Sequence, residues 1–158
     1  MDVDGVLTDG KIVLDHQGRE TKSFHVLDGF AIVVFRKLGF KTAVLSARRS
    51  SAVTARGRDL KIDRVYQDAY PKLHAYQKLL RDFRLTDHEA CFAADDLSDL
   101  AVFKKVGLAV AVKNAVREIK DAAHYVTRHP GGGGAVRETI ELILKGQGQW
   151  KKVLKLMG

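Results

Sequence analysis

Residues 89–112, EACFAADDLSDLAVFKKVGLAVAV, contain two short apolar runs separated by an acidic segment and a predicted helix. The runs CFAA and GLAVAV are typical of buried strands, because their apolar character does not alternate along the chain. The segment LSDLAVFKKV between them is predicted to be helical. A strand, a helix and a second strand in this order predict two parallel strands, with the acidic residues at the carboxyl end of the first strand.

The same alternation of strand and helix extends from this segment in both directions. Upstream, KIVLD and RETKSFHV flank the turn HQG and predict a β-hairpin over residues 11–26. Asp28-Gly29 is expected to cap a helix that runs to about Leu38, and Asn114 to cap a helix over NAVREIKDAA. The predicted fold class is therefore α/β, with a doubly wound, mostly parallel sheet, a hairpin insertion and no cap domain. The other predicted strands are KTAVLS, DRVYQ and HYVT, and the other predicted helices are SSAVTARGRDL, PKLHAYQKLLRDF and GAVRETIELILKG.

Composition limits the class of protein and of partner. With 158 residues, 46% of them hydrophobic, the chain fits one domain over residues 1–158, with a short basic tail from about residue 146. No apolar run approaches a membrane span and no leader follows Met1, so we expect a cytoplasmic protein without a membrane partner. The net charge is +8, but the basic residues are dispersed and not interleaved with aromatics. This pattern favours a small anionic substrate over nucleic acid. The single cysteine, Cys91, is expected to be a buried free thiol.

Polar residues follow several of the predicted strands. Because the carboxyl ends of parallel strands meet at one edge of a sheet, these residues are expected to converge on one crevice. The acidic pair of the N-terminal stretch MDVDGVLTDG belongs there too if a strand or its equivalent leads into it. The candidate residues are Asp2, Asp4, Ser46, Arg48, Lys72, Asp95, Asp96 and Asp99.

Such a set suits phosphoryl transfer, which requires an in-line nucleophile and neutralisation of the negative charge around phosphorus. Two like charges about 4 Å apart cost on the order of 4 kcal/mol at an effective dielectric constant near 20, so several aspartates facing a phosphate require a cation. Mg²⁺ is the expected cofactor, because it is a hard ion bound by carboxylate, phosphate and water oxygens. Lys72 and the hydroxyl of Ser46 would add further compensation.

The motifs D-x-D-G-V-L-T-D-G at residues 2–10, S-x-R at 46–48, a lysine at 72 and D-D-x-x-D at 95–99 occur in this order along the chain. Together they resemble the haloacid dehalogenase superfamily of phosphatases, in its form without a cap domain. The segments FHVLDG, LSARRSSAVTAR and GGGGAVRE more closely resemble the 3-deoxy-D-manno-octulosonate 8-phosphate phosphatases. The resemblance runs from Asp2 to about Leu144, and it implies a role in the synthesis of a lipopolysaccharide precursor.

The resemblance implies specific catalytic roles. Asp2 would attack phosphorus and form an aspartyl-phosphate, and Asp4 would protonate the leaving alkoxide and later activate water. Asp2, the backbone carbonyl of Asp4 and Asp95 would hold Mg²⁺. The two remaining acidic residues, Asp96 and Asp99, would orient water and Lys72 from outside the metal's direct ligands.

The resemblance also implies a substrate subsite and an assembly. The segment from His25 to Gly29, which includes Asp28, and the guanidinium groups of Arg48 and Arg56 would contact the sugar acid. Lys72 would contact the phosphate. The hairpin resembles the element through which these enzymes form homotetramers, so a neighbouring subunit is expected to help cover the site.

Three departures from the family pattern bear on activity. Ala47 and Ala94 stand where glycine is usual, and a methyl group could strain a backbone that needs positive φ. The third departure concerns the buried apolar strand that the family places directly before the nucleophile, which is absent from this sequence. Because four buried side chains of such a strand would contribute roughly 6–12 kcal/mol, we expect an upstream segment to supply it.

Three alternatives to this enzyme stay open on the sequence. One is a catalytically silent assembly domain, similar to those fused to some sialic-acid activating enzymes, which would bind Mg²⁺ without turnover. Another is a phosphatase for a nine-carbon sugar acid 9-phosphate, because one or two pocket residues can change that choice. The third is a receiver domain, but in receiver domains the acidic pair precedes a central phosphoaspartate, whereas here D-x-D comes first.

Overall fold

The parallel unit predicted for residues 89–112 is present in the computed structural model, which describes residues 1–158. Seven short strands and seven α-helices alternate along most of the chain. In chain order they are β1 Val13–Leu14, β2 Glu20–Thr21, α1 Val26–Lys37, β3 Ala43–Leu45, α2 Ser51–Asp59, β4 Arg64–Tyr66, α3 Lys72–Phe83, β5 Cys91–Ala94, α4 Leu100–Phe103, β6 Leu108–Ala111, α5 Arg117–Asp121, β7 Tyr125–Val126, α6 Ala135–Gly146 and α7 Trp150–Met157.

The strands form two parallel sheets and one antiparallel hairpin. β3 pairs with β4, while β5, β6 and β7 pair in that order, and every pair in these two sheets is parallel. β1 and β2 form the hairpin, with Val13 opposite Thr21. Helix α1 packs on α6, and α3 packs on α4. The mixed α/β class with parallel sheets and no cap domain is confirmed.

Met1 and Asp2 connect the two parallel sheets. The Met1 amino group donates to the carbonyl of Ala43 at 3.0 Å, and the Leu45 N–H donates to the Met1 carbonyl at 3.0 Å. On the other side, the Asp2 N–H donates to the carbonyl of Ala93 at 3.1 Å. Met1 and Asp2 therefore lie between β3 and β5, and these backbone hydrogen bonds place the Asp2 carboxylate at the edge of both sheets.

A groove of about 600 Å³ opens below Met1 between the same two strands. Most of its lining is apolar, and residues of β3 and β5 contribute to its walls. Representative lining residues are Met1, Phe40, Leu45, Tyr76, Phe92 and Ile140.

Two sequence predictions about helices are wrong in detail. Asn114 does not cap α5, which begins at Arg117 after the N-cap residue Val116. Instead the Asn114 side-chain oxygen accepts the N–H of Gly131 at 2.7 Å, a long-range partner that is not visible in the sequence. The helix predicted to follow Asp96 begins as a 3₁₀ turn over Leu97–Asp99 and continues as α4.

The region at the end of the chain is also more ordered than a simple tail. Residues 150–157 form α7, and Val153 on this helix is buried in the core. Cys91 is a free cysteine at the start of β5, and its burial raises the pKa of the thiol to about 12. No helix has the length and apolar character needed to cross a bilayer.

Candidate active site

A lysine and two carboxylates form the buried centre of the site. Lys72 begins α3, and its side chain is only 2% exposed. The Lys72 Nζ lies 2.8 Å from Asp2 Oδ1 and 2.6 Å from Asp99 Oδ1. Burial alone would lower the pKa of Lys72, but the two carboxylates outweigh burial and raise its pKa above the ordinary value. Lys72 is therefore charged, and one ammonium group compensates two carboxylates.

Asp95 completes an acidic cluster beside this ion pair. It follows β5 directly, and oxygens of Asp2, Asp95 and Asp99 all lie within 4.8 Å of one another. Burial and repulsion from Asp2 raise the pKa of Asp95 to about 7, and the same two causes raise the pKa of Asp99 to about 7. The cluster therefore carries more negative charge than Lys72 can neutralise.

The cluster fits a divalent cation. Asp95 Oδ1 and Asp99 Oδ2 are buried and have no hydrogen-bond partner, which is costly for carboxylate oxygens unless a cation faces them. All three residues offer oxygen, the donor that Mg²⁺ prefers. The cluster includes two of the predicted ligands, Asp2 and Asp95, and adds Asp99, whose other oxygen is bound to Lys72. Whether the Asp4 carbonyl is a ligand stays a prediction.

Two glycines allow the loop after Asp2 to pack closely. Gly5 has a φ of +89°, and a Cβ atom there would lie 2.0 Å from Asp95 Oδ2. A Cβ atom on Gly131 would lie 1.6 Å from the Gly5 carbonyl oxygen. The next residue, Gly132, donates its N–H to the Val6 carbonyl at 2.9 Å. The glycine run at residues 131–134 thus packs closely against the loop that carries Asp2 and Asp4.

Asp4 is held by a lysine that the sequence analysis did not identify. Lys22 follows β2, and its Nζ lies 2.5 Å from Asp4 Oδ1 and 3.1 Å from Glu20 Oε1. Arg48 reaches the same pair, with Nη2 2.5 Å from Glu20 Oε2. The available signal was the spacing of Glu20 and Lys22, which places both side chains on one face of an extended strand.

Ser46 and Arg48 follow β3, as predicted. The Ser46 hydroxyl donates to the Arg48 carbonyl at 3.1 Å and accepts the Arg48 N–H at 3.2 Å, so it stabilises the turn after the strand. Ala47, within this turn, and Ala94, at the end of β5, do not have positive φ. The backbone strain that was expected at these two alanines is therefore absent.

The residues expected to contact a sugar acid cluster around α1. Asp28 is 1% exposed, and its two carboxylate oxygens accept N–H groups at the start of α6, from Gly134 at 3.3 Å and Arg137 at 2.7 Å. Burial raises the pKa of Asp28, although these N–H groups oppose the change. His25 Nδ1 lies 3.9 Å from Asp28 Oδ2. Asp28 therefore joins α1 to α6 instead of capping its own helix, whose N-cap is His25.

Arg56 lies beside the same helix. Its guanidinium is 5.8 Å from the centre of the Phe24 ring, and its Nη1 is 2.6 Å from Asp59 Oδ2. A Cβ atom on Gly29 would lie 2.1 Å from Arg56 Nη2, so glycine at this position makes room for the arginine. The substrate-binding roles of His25, Asp28, Gly29, Arg48 and Arg56 stay predictions.

The two acidic residues assigned to supporting roles differ in environment. Asp99 is fully buried and bonded to Lys72, which agrees with a residue that orients the lysine. Asp96 is exposed, and its carboxylate accepts the N–H of Leu97 at 2.7 Å. Asp96 therefore begins the 3₁₀ turn that carries Asp99 into the cluster, and its carboxylate binds this turn and not Lys72.

Comparison with known proteins finds relatives of this chain. A family model described as haloacid dehalogenase-like hydrolase matches residues 35–138. The chain is 41% identical over 146 residues to the 3-deoxy-D-manno-octulosonate 8-phosphate phosphatase of Yersinia pestis, covering 92% of this chain and 78% of that protein. The enzyme of Escherichia coli K12 is 40% identical over 149 residues, covering 94% and 79%.

Solved structures give the same result. The 3-deoxy-D-manno-octulosonate 8-phosphate phosphatase of Moraxella catarrhalis, in complex with magnesium ion, phosphate ion and KDO, is 34% identical with a TM-score of 0.97. The match covers 100% of this chain and 91% of that chain. A probable yrbi family phosphatase from Pseudomonas syringae is 40% identical with a TM-score of 0.96, covering 99% and 89%.

Proposed function

Because the chain belongs to the haloacid dehalogenase-like hydrolases, and within them to the 3-deoxy-D-manno-octulosonate 8-phosphate phosphatase family, we propose that it hydrolyses that sugar acid phosphate. The products are the free eight-carbon sugar acid and inorganic phosphate. The observation that carries the proposal is the buried cluster in which Lys72 joins Asp2 to Asp99 beside Asp95.

Asp2 is the nucleophile in the first step. One Asp2 oxygen is bound to Lys72, which orients the carboxylate and leaves the other oxygen for attack on phosphorus. As the new bond between oxygen and phosphorus forms, the bond from phosphorus to the sugar oxygen breaks. Asp4 gives a proton to that departing oxygen, because an alkoxide is a poor leaving group.

The second step regenerates the enzyme. Asp4 takes a proton from a water molecule, which attacks the phosphorus of the aspartyl-phosphate and releases inorganic phosphate from Asp2. Lys72 offsets negative charge near phosphorus in both steps. Asp2, Asp95 and the Asp4 carbonyl would hold Mg²⁺, with Asp99 close by. When bound, the ion supplies the positive charge that lets a carboxylate approach a phosphate.

We assign the substrate's carboxylate to the part of the site that contains Arg48. Arg48 lies between the hairpin and Asp4, and guanidinium is the suitable donor for a carboxylate because it presents parallel N–H groups. His25 and Gly29 line the neighbouring surface with Arg56. Asp28 supports this surface indirectly through its bonds to α6, because its carboxylate is already occupied.

We further propose a homotetramer in the cytoplasm, assembled through the hairpin. Ile12, Val13 and Leu14 are large apolar residues that are all exposed on this element. Contiguous exposed apolar side chains are typical of protein interfaces. Sedimentation velocity tests this assembly by comparing the unchanged protein with a variant that carries Ile12→Ser and Leu14→Ser. We expect a tetramer only for the unchanged protein.

The activity is tested by phosphate release from a panel of sugar phosphates with and without Mg²⁺, including eight-carbon and nine-carbon keto acid phosphates. We expect selective, Mg²⁺-dependent release from the eight-carbon substrate and none from Asp2→Asn. Selective release from the nine-carbon substrate would change the assigned substrate. Mg²⁺ binding without release from any member would identify a catalytically silent domain.

A further inference from the structure

Lys22 occupies an unusual position for a lysine on a hairpin. Its side chain is only 1% exposed, although it follows a two-residue strand at the surface of the protein. Lysine is almost never fully buried unless its charge is paired, because desolvation of an ammonium group is costly. The partners of Lys22 are Asp4 Oδ1 and Glu20 Oε1, at 2.5 Å and 3.1 Å.

These groups belong to a closed set of four charges. Arg48 contacts Glu20 Oε2 through Nη2 at 2.5 Å, and its Nε lies 3.9 Å from Asp4 Oδ2. When Asp4 is ionised, two cations and two carboxylates alternate around the set, which then contains no net charge; when Asp4 is protonated for the first step, Lys22 still donates to its Oδ1. Glu20 contacts Lys22, and Arg48 in turn contacts Glu20, so the buried ammonium group has little freedom to leave Asp4.

The two oxygens of Asp4 have different environments. Oδ1 accepts the short hydrogen bond from Lys22, whereas Oδ2 has only the Arg48 Nε at 3.9 Å, beyond hydrogen-bond distance. A carboxyl group that transfers a proton must present one oxygen in a fixed direction toward the reacting atom. The Lys22 contact fixes this direction and leaves Oδ2 available.

We propose that Lys22 is a positioning residue for proton transfer by Asp4. The inference rests on the proposed function, because it assigns Lys22 a part in the reaction described above. In the first step the proton passes from Asp4 Oδ2 to the departing sugar oxygen as its bond to phosphorus breaks. In the second step Oδ2 accepts a proton from the attacking water. Lys22 itself transfers no proton and does not contact the substrate phosphorus.

The way in which the loss of kcat/KM depends on the leaving group distinguishes this positioning role of Lys22 from a purely structural role. A sugar alkoxide needs a proton to depart, whereas p-nitrophenolate leaves without one. The test therefore compares kcat/KM of wild type and Lys22→Met on 3-deoxy-D-manno-octulosonate 8-phosphate and on p-nitrophenyl phosphate. For both substrates this constant covers the steps up to departure of the leaving group.

We expect Lys22→Met to lower kcat/KM on the sugar acid phosphate by about 10²–10³-fold, within the roughly 10²–10⁴-fold that general acid–base catalysis contributes, and on p-nitrophenyl phosphate by less than about 10-fold. Rapid-quench analysis with p-nitrophenyl phosphate should show more phosphorylated enzyme in the variant, because the second step also needs Asp4. Lys22→Arg, which keeps the charge and a donor, should recover at least part of the loss.

Lys11→Met is the matched control in the same hairpin. Lys11 is 77% exposed and pairs only with Asp9, so this variant should retain wild-type constants on both substrates. Equal losses on the two substrates for Lys22→Met would overturn the inference, and so would a variant without any loss. If Lys22→Met does not fold, Lys22→Gln, which removes the charge and shortens the side chain, takes its place, and a loss no greater on the sugar acid phosphate than on p-nitrophenyl phosphate refutes the inference.

Failure of the proposed function gives a different result. Wild type that cleaves p-nitrophenyl phosphate and an alkyl phosphate other than the eight-carbon substrate, but not the eight-carbon substrate itself, contradicts the substrate assignment. The Lys22 comparison then proceeds on the alkyl phosphate. Wild type that cleaves none of the three contradicts the proposed function and the inference together.

Discussion

Replacing Lys72 with methionine tests how the buried centre is held together. The change keeps the length of the side chain but leaves the carboxylates of Asp2 and Asp99 without their ammonium partner. Removing one member of a buried ion pair typically costs about 3–5 kcal/mol. For a chain of this size about 2–4 °C is lost per kcal/mol, so the melting temperature should fall by roughly 6–20 °C.

The loss of melting temperature caused by Lys72→Met should be smaller at low pH than at high pH. Burial raises the pKa of Asp99 to about 7, above the value of an unfolded aspartate, so the folded state binds this proton more tightly. Lowering the pH to 5 protonates the carboxyl and removes the unpaired charge, whereas at pH 8 the charge stays. In EDTA, the difference in melting temperature between wild type and Lys72→Met should therefore be smaller at pH 5 than at pH 8.

Thermal unfolding followed by circular dichroism measures this difference. Lys78→Met is a matched control, because Lys78 lies on the same helix and is exposed. Adding Mg²⁺ at pH 8 should restore part of the lost stability by supplying another cation. A loss that is the same at pH 5 and pH 8, or a loss equal to that of Lys78→Met, would refute the assigned charge balance.

Three further perturbations test other parts of the account. Gly131→Ala should lower kcat by about 10²-fold in steady-state kinetics, because the new Cβ would overlap the Gly5 carbonyl and displace the catalytic loop by about 1 Å. The control Gly146→Ala should show no such loss, because the space around that Cβ is open. Burial alone would raise the pKa of Glu138, but N–H and O–H donors outweigh burial and hold this pKa at about 2. The contribution of Glu138 to stability should therefore be full above pH 4.5 and disappear as the pH falls toward 2. Melting temperatures of Glu138→Gln and wild type should accordingly differ at pH 7 and converge near pH 2, and a constant difference would contradict this. An extended segment of four apolar residues added before Met1 should fill the groove between β3 and β5 and raise the melting temperature, whereas a segment of four serines should not.

Local patterns in the sequence were sufficient for the arrangement of strands and helices. The strand at the apolar run around Phe92 depends on neighbouring residues alone and is confirmed. The helix predicted from Pro71 is also present, but it begins one residue later, at Lys72, with Pro71 as its N-cap. Apart from CFAA, which matches β5, the predicted strands were longer than those observed, because hydrogen bonding to a neighbouring strand ends before the apolar pattern does. The hairpin illustrates this, since its ladder pairs only Val13–Leu14 with Glu20–Thr21.

Site residues that directly follow strands were predictable from the sequence. Residues whose role depends on a hydrogen-bond or ion-pair partner that is distant in sequence were not. Asp95 and Lys72 were identified because the carboxyl ends of parallel strands converge. The roles of Asn114 and Asp28 depend on backbone groups of the segment before α6 and of α6 itself, which no local pattern indicates. Lys22 was missed for the same reason, because its burial results from the packing of the hairpin on the site.

The most direct test of the central claim is detection of a phosphoryl group on Asp2 after rapid acid quench with p-nitrophenyl phosphate and Mg²⁺. Asp4→Asn should slow hydrolysis of the intermediate and increase its yield. The account predicts a phosphorylated N-terminal peptide with the modification at Asp2 in both proteins, and none in Asp2→Asn. Phosphate release by wild type with no phosphoryl group on Asp2 in either protein would contradict the account.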